Sequence, residues 1–476
     1  MDNRDSSDSR NLLERVLSLF AKVRGGEGVT VLLLALDVFL LLLAYYIIKP
    51  VREALILAGG GAEVKSYAAA GQAILLLGAV PVYAMLAGRF PRRRLINIVT
   101  LFFVGCLGVF YILAQFRVPL GVVFYLWVGI FNLMVIAQFW SFANDLYTQE
   151  AGKRLFAIVA FGASAGAVFG SFIAGRLIDP LGVYQLLLLA AAMLILSLFI
   201  TNIVDSRERH RAEELALTRA KEVEEPIGKG NAYRLVFGNK YLLMIALLML
   251  FLNWVNTTGE YILGRTVKHA AEKEVDTPAV QKLSEGKYEE ELAAGALGKI
   301  SEDEFRKRWK EDYTGKYIGK FYADFFSVVN LLGLLIQLFL VSRILKYLGV
   351  RIALLVLPVI ALGGYAVLAF YPLLGIVRWA KTAENSTDYS LQNTVRQVLF
   401  LPTTREEKYK AKQAIDTFFV RAGDVLSAGL VFVGTSLLAF STKHFALVNI
   451  VLVLVWLVLA VLIGRENRRL TASNEE

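Results

Sequence analysis

Two cations and one carboxylate stand directly after a long apolar run near the start of the chain. In LLLLAYYIIKPVREALIL, residues 40–57, Lys49, Arg52 and Glu53 follow one another within about one helical turn. Ionisable groups inside a membrane-spanning helix are costly, so they usually face a cavity and mark a transport pathway. Guanidinium and ammonium groups bind phosphate well. The segment therefore predicts an anion site, with snorkelling of these side chains to the membrane interface as the alternative.

A second concentration of charge lies in GIVRWAKTAENSTDYSLQNTVRQVLFLP, residues 375–402. A segment this polar can cross a membrane only as a helix that lines water. Mixed cations and acids indicate a cavity for an anionic substrate, in which the acids orient the cations or couple the movement of an ion. The other ionisable groups in apolar surroundings, together with those of this segment, are Asp37, Asp145, Glu260, Asp324, Arg378, Lys381, Glu384, Asp388, Arg396, Asp416, Arg421 and Asp424.

Aromatic residues near these charges could stack on a flat base. Aromatic side chains at helical spacing more often belong to a packed core, so both interpretations stay open. The candidates are Tyr45, Tyr46, Trp140, Trp254, Trp379 and Tyr389.

The remaining reactive residue types argue against an enzyme or a metalloprotein. The single cysteine, Cys106, excludes a disulfide framework and a CxxC metal site. His210, His269 and His444 lie far apart in the sequence. Because neither a nucleophile–base pair nor a metal-ligand cluster is apparent, we expect no enzymatic activity and no cofactor.

The elements that position the charged groups are apolar segments long enough to cross a bilayer. The chain has 476 residues, of which 56% are hydrophobic, and a mean hydropathy of +0.54. A helix of about 20 apolar residues spans the hydrocarbon core. We predict an all-α membrane protein with twelve transmembrane helices, at residues 29–57, 67–88, 95–116, 119–147, 155–178, 183–204, 241–263, 321–345, 351–371, 373–401, 412–440 and 444–464.

The distribution of basic residues in the short loops predicts the orientation. Arginines and lysines cluster after the second, fourth, eighth and tenth predicted spans, and few occur on the opposite side. The positive-inside rule then places both termini in the cytoplasm of a multi-pass protein of the cell (inner) membrane. This bias accounts for most of the net charge of +10, so a nucleic-acid partner is not required.

Two six-helix halves are predicted, since basic loops lead into small-residue helices at both 150–171 and 408–429. In the second half, Ser301 and Glu304 form a capping box that predicts a small helical hairpin. The predicted regions are a cytoplasmic amphipathic segment 1–28, a first bundle 29–204, a cytoplasmic linker 205–240, a second bundle 241–464 with an extracytoplasmic helical insertion 264–320, and a cytoplasmic tail 465–476.

Glycines recur at every fourth position in GASAGAVFG, at Gly162, Gly166 and Gly170. Small residues at this spacing allow two membrane helices to approach closely. We therefore expect a packing role for this stripe.

Four motifs resemble those of the nucleotide transporters of plastids and obligate intracellular bacteria, the ATP:ADP antiporter family, a branch of the major facilitator superfamily. Lys49, Arg52 and Glu53 match its basic-x-x-basic-acidic motif at the end of the first span. FWSFANDLYTQEAGKRLF, residues 139–156, is similar to its FAN-acid signature and Lys-Arg loop. The seventh predicted span ends at Glu260, as the family's does, and KYKAKQAID, residues 408–416, is similar to its K-x-K-x-K-x-x-I-D run.

The resemblance implies a secondary transporter that moves nucleotides by alternating access between two six-helix halves. The chain departs from the family where Arg52 and Arg396 replace its two functional lysines and where aspartate follows Asn144. On this basis we expect substrate binding by Lys49, Arg52, Asn144, Asp145, Glu260 and Arg396. We expect supporting or coupling roles for Glu53, Asn256, Asp388 and Arg421.

The function expected from the sequence is therefore nucleotide transport by a monomer, as an exchanger or an ion-coupled carrier. Two alternatives remain open at this point. One is a transporter of another organic phosphate anion on the same scaffold. The other is a membrane sensor or scaffold that binds nucleotide without moving it.

Overall fold

The computed structural model describes residues 23–475 except 25, 148, 216–231, 296–299, 405–406 and 408–410. Most of the predicted amphipathic segment 1–28, the middle of the predicted linker, and Lys408 and Lys410 of the lysine run lie outside the described residues. Every regular element within the described residues is helical.

The helices follow one another in this order: α1 Gly28–Arg89, α2 Arg92–Gln115, α3 Gly121–Leu146, α4 Gln149–Leu181, α5 Gln185–Leu215, α6 Ala232–Gly238, α7 Lys240–Val275, α8 Pro278–Ala293, α9 Glu302–Phe339, α10 Val341–Tyr347, α11 Gly349–Phe370, α12 Leu374–Thr387, α13 Asn393–Leu399, α14 Lys412–Ala414, α15 Val420–Phe432 and α16 Thr442–Glu475. Within the described residues of the second half, π-helical turns occur at Asp388–Gln392, Ile415–Phe419 and Val433–Leu437.

The predicted all-helical membrane fold is confirmed. Within the described residues, 10 helices are long and apolar enough to cross a membrane. Two features account for the difference from twelve predicted spans. Helix α1 has 62 residues and holds the first two predicted spans, with a break at Gly61, where φ is 84°. The tenth predicted span is divided among α12, the first π-turn and α13, and it is too polar to count as an apolar helix.

The first of two compact units comprises Met1–Glu53, Leu76–Val223 and Tyr322–Ser327. Inside it, the glycine stripe of α4 packs directly on the backbone of α1, as predicted. A Cβ atom at any of the three glycines would collide with a carbonyl oxygen of α1. The pairs are Gly162 with Ala35, Gly166 with Phe39, and Gly170 with Leu43.

An aromatic stack fills the core of the same unit. The indole ring of Trp127 stacks on the rings of Phe124 and Phe131, with centroid separations of 5.6 and 5.5 Å. The ring of Phe131 in turn lies 6.3 Å from that of Tyr45 on α1. The stack therefore connects α3 to the part of α1 that precedes Lys49.

The second compact unit comprises Ala54–Leu75, Glu224–Phe321 and Val328–Glu476. Helix α7 lies at its centre, between α15 and α16. A Cβ on Gly423 of α15 would lie 2.8 Å from the carbonyl oxygen of Leu250, so α15 also depends on a glycine for its close approach. Asn449 of α16 donates to the carbonyl of Val255 at 3.1 Å.

The predicted helical hairpin in the insertion is present as α8 and the start of α9. The Ser301 hydroxyl accepts a hydrogen bond from the Glu304 amide at 3.3 Å, as expected of an N-cap. The rings of Tyr288 and Phe305 join the two helices with a centroid separation of 5.3 Å. Helix α9 then continues without interruption into the eighth predicted span. The domain boundaries themselves stay a prediction.

Candidate functional site

The cations at the end of the first predicted span are enclosed by aromatic rings of the first unit. The Lys49 ammonium lies 4.0 Å from the ring centroid of Phe326 and 5.0 Å from that of Tyr46. The Arg52 guanidinium lies 4.7 Å above the Tyr125 ring. Cation–π contacts of this kind contribute roughly 0.5–2 kcal/mol, with the larger values at desolvated sites. The ring faces therefore stabilise both cations, and Arg52 also donates to the Glu53 carboxylate.

Burial argues against snorkelling as the main role of these residues. Lys49 is 8% exposed and Glu53 is 1% exposed. The side chain of Arg52 is 14% exposed and donates to the Glu53 carboxylate, Nε to Oε1, at 3.1 Å. A side chain that reached the interface would expose its charged end. We refer to Lys49, Arg52 and Glu53 as the first cluster.

In the second unit, Glu260 lies within a network of buried charges. Its carboxylate is 3.6 Å from the Lys65 ammonium and 3.8 Å from the Lys381 ammonium. The Asn385 amide donates to the same carboxylate at 3.0 Å. Glu260 thus connects α1, α7 and α12 within this unit.

Lys381 is the centre of that network and is 1% exposed. Its ammonium donates to the Asn256 side-chain oxygen at 2.8 Å and to the Glu384 carboxylate at 2.9 Å. The Tyr365 hydroxyl donates to the other oxygen of Glu384 at 3.0 Å. We refer to Lys65, Glu260, Lys381 and Glu384 as the second cluster.

The cluster includes functional candidates that were not assigned a site role from the sequence. Lys381 and Glu384 lie three residues apart in the polar tenth span, so their pairing on one helix face could have been predicted. Lys65 follows the glycines 59–61, and sequence alone suggested a loop there instead of a continuing helix. Tyr365 lies in an apolar predicted span, where nothing in the sequence indicated a role in the site.

Arg396 and Asp388 line a cavity of about 340 Å³ in the second unit. Its wall also contains Tyr389 and Asn393, and Asn393 accepts a hydrogen bond from Arg396 at 3.2 Å. The cavity lies at the π-turn Asp388–Gln392. Such turns often occur at functional sites because they re-aim side chains out of the regular helical pattern.

Asn144 and Asp145 do not join the first cluster. Asp145 is 56% exposed and lies 3.5 Å from the Arg92 guanidinium. Tyr125, which contacts Arg52, is 20 residues earlier on α3, about 30 Å along the helix axis. Arg92 also pairs with the carboxylate of Asp205 at 2.8 Å. Asp145 therefore contacts a basic residue that follows the second predicted span, and its role in substrate binding stays a prediction.

Arg421 pairs with a carboxylate on its own helix. Its guanidinium lies 3.1 Å from Asp424, which also accepts hydrogen bonds from Asn253 and Thr257 of α7, each at 2.8 Å. Arg421 thus stabilises the contact between α15 and α7, a supporting position consistent with its expected role.

A further ion pair of the first unit lies near the start of α1. Arg154, from the predicted Lys-Arg loop, donates to both carboxylate oxygens of Glu27, at 3.0 and 3.2 Å. Partial burial raises the pKa of Glu27, but the hydrogen bonds from Arg154 and from the Arg24 amide outweigh burial and lower the pKa below its ordinary value.

Family models match both parts of the chain. Residues 30–264 match the model of the Major Facilitator Superfamily. Residues 364–467 match the model of the TLC ATP/ADP transporter family. These matches confirm the resemblance predicted from the motifs. No curated protein matches the sequence significantly.

Solved transporters share the fold at low sequence identity. The nucleoside transporter NupG superposes with a TM-score of 0.57 at 11% identity, over 93% of this chain and 99% of NupG. A D-xylose–proton symporter gives 0.56 at 12% identity, over 91% and 96% of the two chains. A POT family transporter in complex with 5-aminolevulinic acid gives 0.57 at 13% identity, over 93% and 96%.

The ten apolar helices and the Major Facilitator Superfamily match over residues 30–264 support a multi-pass membrane transporter and not an enzyme. The match of residues 364–467 to the ATP/ADP transporter model supports a secondary transporter of nucleotide-like substrates.

Proposed function

We propose that the protein moves a nucleoside phosphate such as ATP or ADP across the membrane by alternating access. The observation that carries this proposal is the ATP/ADP transporter match over residues 364–467, because Arg396 and the other polar residues of its cavity wall fall inside that range. A guanidinium beside an open polar cavity suits a phosphate, which it binds through paired hydrogen bonds. Binding and release of the substrate drive the cycle without hydrolysis, and a gradient or a counter-substrate sets its direction.

Each unit supplies its own cations in this proposal. Lys49 and Arg52 of the first cluster, and Arg396 of the second unit, neutralise the phosphates. Glu260 acts by holding Lys65 and Lys381, whereas Asp145 acts through Arg92, its partner at 3.5 Å. Tyr389 lines the Arg396 cavity and is positioned to stack on a base.

The membrane, orientation and assembly also belong to the proposal. We propose an inner-membrane location with both termini in the cytoplasm, supported by the basic loops of the sequence. The functional unit is a monomer, because both sets of cations come from one chain.

Uptake of labelled ATP into proteoliposomes, with and without ADP inside, tests the function. Uptake that requires internal ADP identifies an exchanger, and uptake without it identifies an ion-coupled carrier. Nucleotide binding in detergent without flux would instead identify a sensor. Failure of nucleotides to compete with a bound sugar phosphate would overturn the nucleotide assignment in favour of another organic phosphate.

A matched pair of arginine variants tests the role of the cavity. Arg396→Ala is expected to abolish uptake with folding intact. Arg378→Ala is the control, since Arg378 belongs to the same polar span and its guanidinium lies 5.5 Å from the Phe321 ring centroid, outside the cavity wall. Normal uptake by Arg396→Ala would refute the assignment.

A further inference from the structure

Asp37 is a fully buried carboxylate in the middle of the first predicted span, and the cation clusters do not include it. The hydroxyls of Ser197 and Thr201 on α5 donate to its two oxygens at 2.5 and 2.6 Å. Within the described part of the chain, no lysine, arginine or histidine forms an ion pair with it. A membrane-embedded carboxylate without a cation carries a large desolvation cost, and binding a proton removes that cost.

The hydrogen bonds around Asp37 suit both the charged and the protonated carboxyl group. The Thr201 hydroxyl has one proton but two acceptors, Asp37 Oδ2 at 2.6 Å and the Ser197 carbonyl at 3.1 Å. With Asp37 ionised, Thr201 donates to the carboxylate. With Asp37 protonated, the carboxyl O–H donates to Thr201 Oγ1, and Thr201 donates to the carbonyl. The proton can therefore bind and leave without rearrangement of the surrounding side chains.

A small cavity beside these hydroxyls has room for a water that could exchange the proton. Its volume is about 20 Å³, enough for one water molecule, and Thr100, Gln138, Ser197 and Thr201 contribute to its wall. Gln138 is 5% exposed, and its buried Nε2 atom has no hydrogen-bond partner within the described residues. A water in this cavity would accept that hydrogen bond and lie beside the hydroxyls of Ser197 and Thr201.

The charged groups on the surrounding helices are engaged elsewhere. Arg92 pairs with Asp145 and Asp205, and Arg154 pairs with Glu27. None of the charged groups described on the elements of this unit ion-pairs with Asp37; they are Glu27, Lys49, Arg52, Glu53, Arg89, Arg92, Arg93, Arg94, Arg117, Asp145, Arg154, Arg176, Asp179, Asp205, Arg207, Glu208 and Asp324.

We propose that Asp37, Ser197 and Thr201 form the binding site for a proton that is co-transported with the substrate. The proton comes from water on one side of the membrane and returns to water on the other, so no redox partner or leaving group is needed. This inference rests on the proposed transport function and makes the protein a proton-coupled carrier.

Uptake of labelled ATP into proteoliposomes under an inward proton gradient tests the site. A gradient of about one pH unit is expected to raise wild-type accumulation by up to about tenfold for one coupled proton. Asp37→Asn, which resembles the protonated carboxyl group, is expected to lose this response while it still exchanges external ATP for internal ADP. Asp303→Asn, in the exposed first turn of α9, is the control and keeps the response.

Each outcome separates the proton site from the transport function. Three outcomes would overturn the proton site alone. The first is wild-type ATP uptake that does not change with the proton gradient, and the second is an Asp37→Asn variant whose uptake still responds to that gradient. The third is a sodium gradient that drives uptake in place of protons. No ATP uptake under any gradient would overturn the proposed function itself. If Asp37→Asn does not fold, acidification of the wild-type vesicle lumen during ATP entry, followed with a trapped pH dye, decides the question.

Discussion

The two charged clusters are buried to a similar degree but are stabilised by different means. In the first cluster, ring faces of Tyr46, Tyr125 and Phe326 cover the cations, and Glu53 supplies one carboxylate. In the second cluster, two carboxylates face two ammonium groups, and an amide and a phenol complete the hydrogen bonds. The first cluster thus carries one net positive charge, and the second carries none.

This difference indicates separate roles: the first cluster binds the substrate, and the second supports the packing of helices. The first cluster contains two cations and one carboxylate, and ring faces do not neutralise a cation's charge, so this cluster can still attract a phosphate. The second cluster has no net charge, and each of its charged groups lies close to a group of opposite charge. We therefore expect the first cluster to determine substrate affinity and the second to hold α1, α7 and α12 together within its unit.

The largest effect is expected from Lys381→Ala. Removal of this ammonium leaves the buried Glu384 without its cation and deprives the partly buried Glu260 of one of two, and breaking one side of a buried ion pair costs about 3–5 kcal/mol. The variant should melt at a clearly lower temperature in detergent than the wild type. A melting temperature equal to that of the wild type would show that the second cluster does not support the fold.

The double variant Lys381→Met with Glu384→Gln is the matched control. It removes one charge of each sign and keeps similar volumes, so part of the lost stability should return. If the double variant were less stable than Lys381→Ala alone, the charges themselves would not be the cause.

The next largest effect is expected from Arg52→Ala, and it falls on transport. Loss of charged hydrogen bonds to a phosphate costs about 1.5–3 kcal/mol, so the apparent KM for ATP should rise roughly 10- to 150-fold. The melting temperature should fall as well, because the buried Glu53 loses this partner, so the KM is measured on variant protein that remains folded. Initial uptake rates over a range of ATP concentrations measure the effect.

Arg52→Lys sharpens the same test. A lysine keeps the charge but has neither the planar fork nor the same stacking on Tyr125, so an intermediate KM is expected. An unchanged KM in both variants would assign phosphate binding to other residues and remove the proposed distinction between the clusters.

The packing of α4 on α1 determines how well the first cluster is positioned. In Gly166→Ala the new methyl group would collide with the Phe39 carbonyl, ten residues before Lys49. Overpacking of this kind costs about 1–3 kcal/mol, so both melting temperature and uptake should fall. Gly105→Ala, where a Cβ meets nothing within 4 Å, is the control. Equal melting of the two variants would contradict the close approach.

The sequence predicted those features that depend on local residue types. Charge in apolar surroundings predicted the burial of Lys49 and Glu53 and the polar tenth span. Small-residue spacing predicted the packing of the stripe that begins at Gly162, and capping chemistry predicted the helix start at Ser301. These are properties of one helix or one turn, which neighbouring residues determine. The family matches then confirmed the transporter class.

Features that depend on contacts between distant segments were not predictable. Lys65 joins the second cluster because the chain continues as a helix on both sides of the break at Gly61. Tyr365 reaches Glu384 of that cluster because α11 packs beside α12. The sequence also did not indicate that Arg92, from the next helix, contacts Asp145. Tertiary packing determines which cation an acid meets, and the local sequence does not encode it.

The smallest effect is expected from the Glu27–Arg154 pair, which ties the start of α1 to α4 of the same unit. Since the folded pKa of Glu27 lies below its ordinary value near 4.5, the ion pair contributes stability above that pH and loses it as the pH falls through the folded pKa. The wild-type melting temperature should therefore drop between neutral pH and acidic pH more steeply than that of Glu27→Gln, which has no carboxylate to protonate. Melting temperatures measured from pH 7 down to about pH 3 compare the two proteins, which should converge as the pH falls below 4.5 and through the folded pKa. The effect should be small because the pair is only partly buried and solvent screens it.

Parallel curves would mean that the acid sensitivity arises from other carboxylates. The first unit would then depend on its glycine and aromatic packing more than on this ion pair.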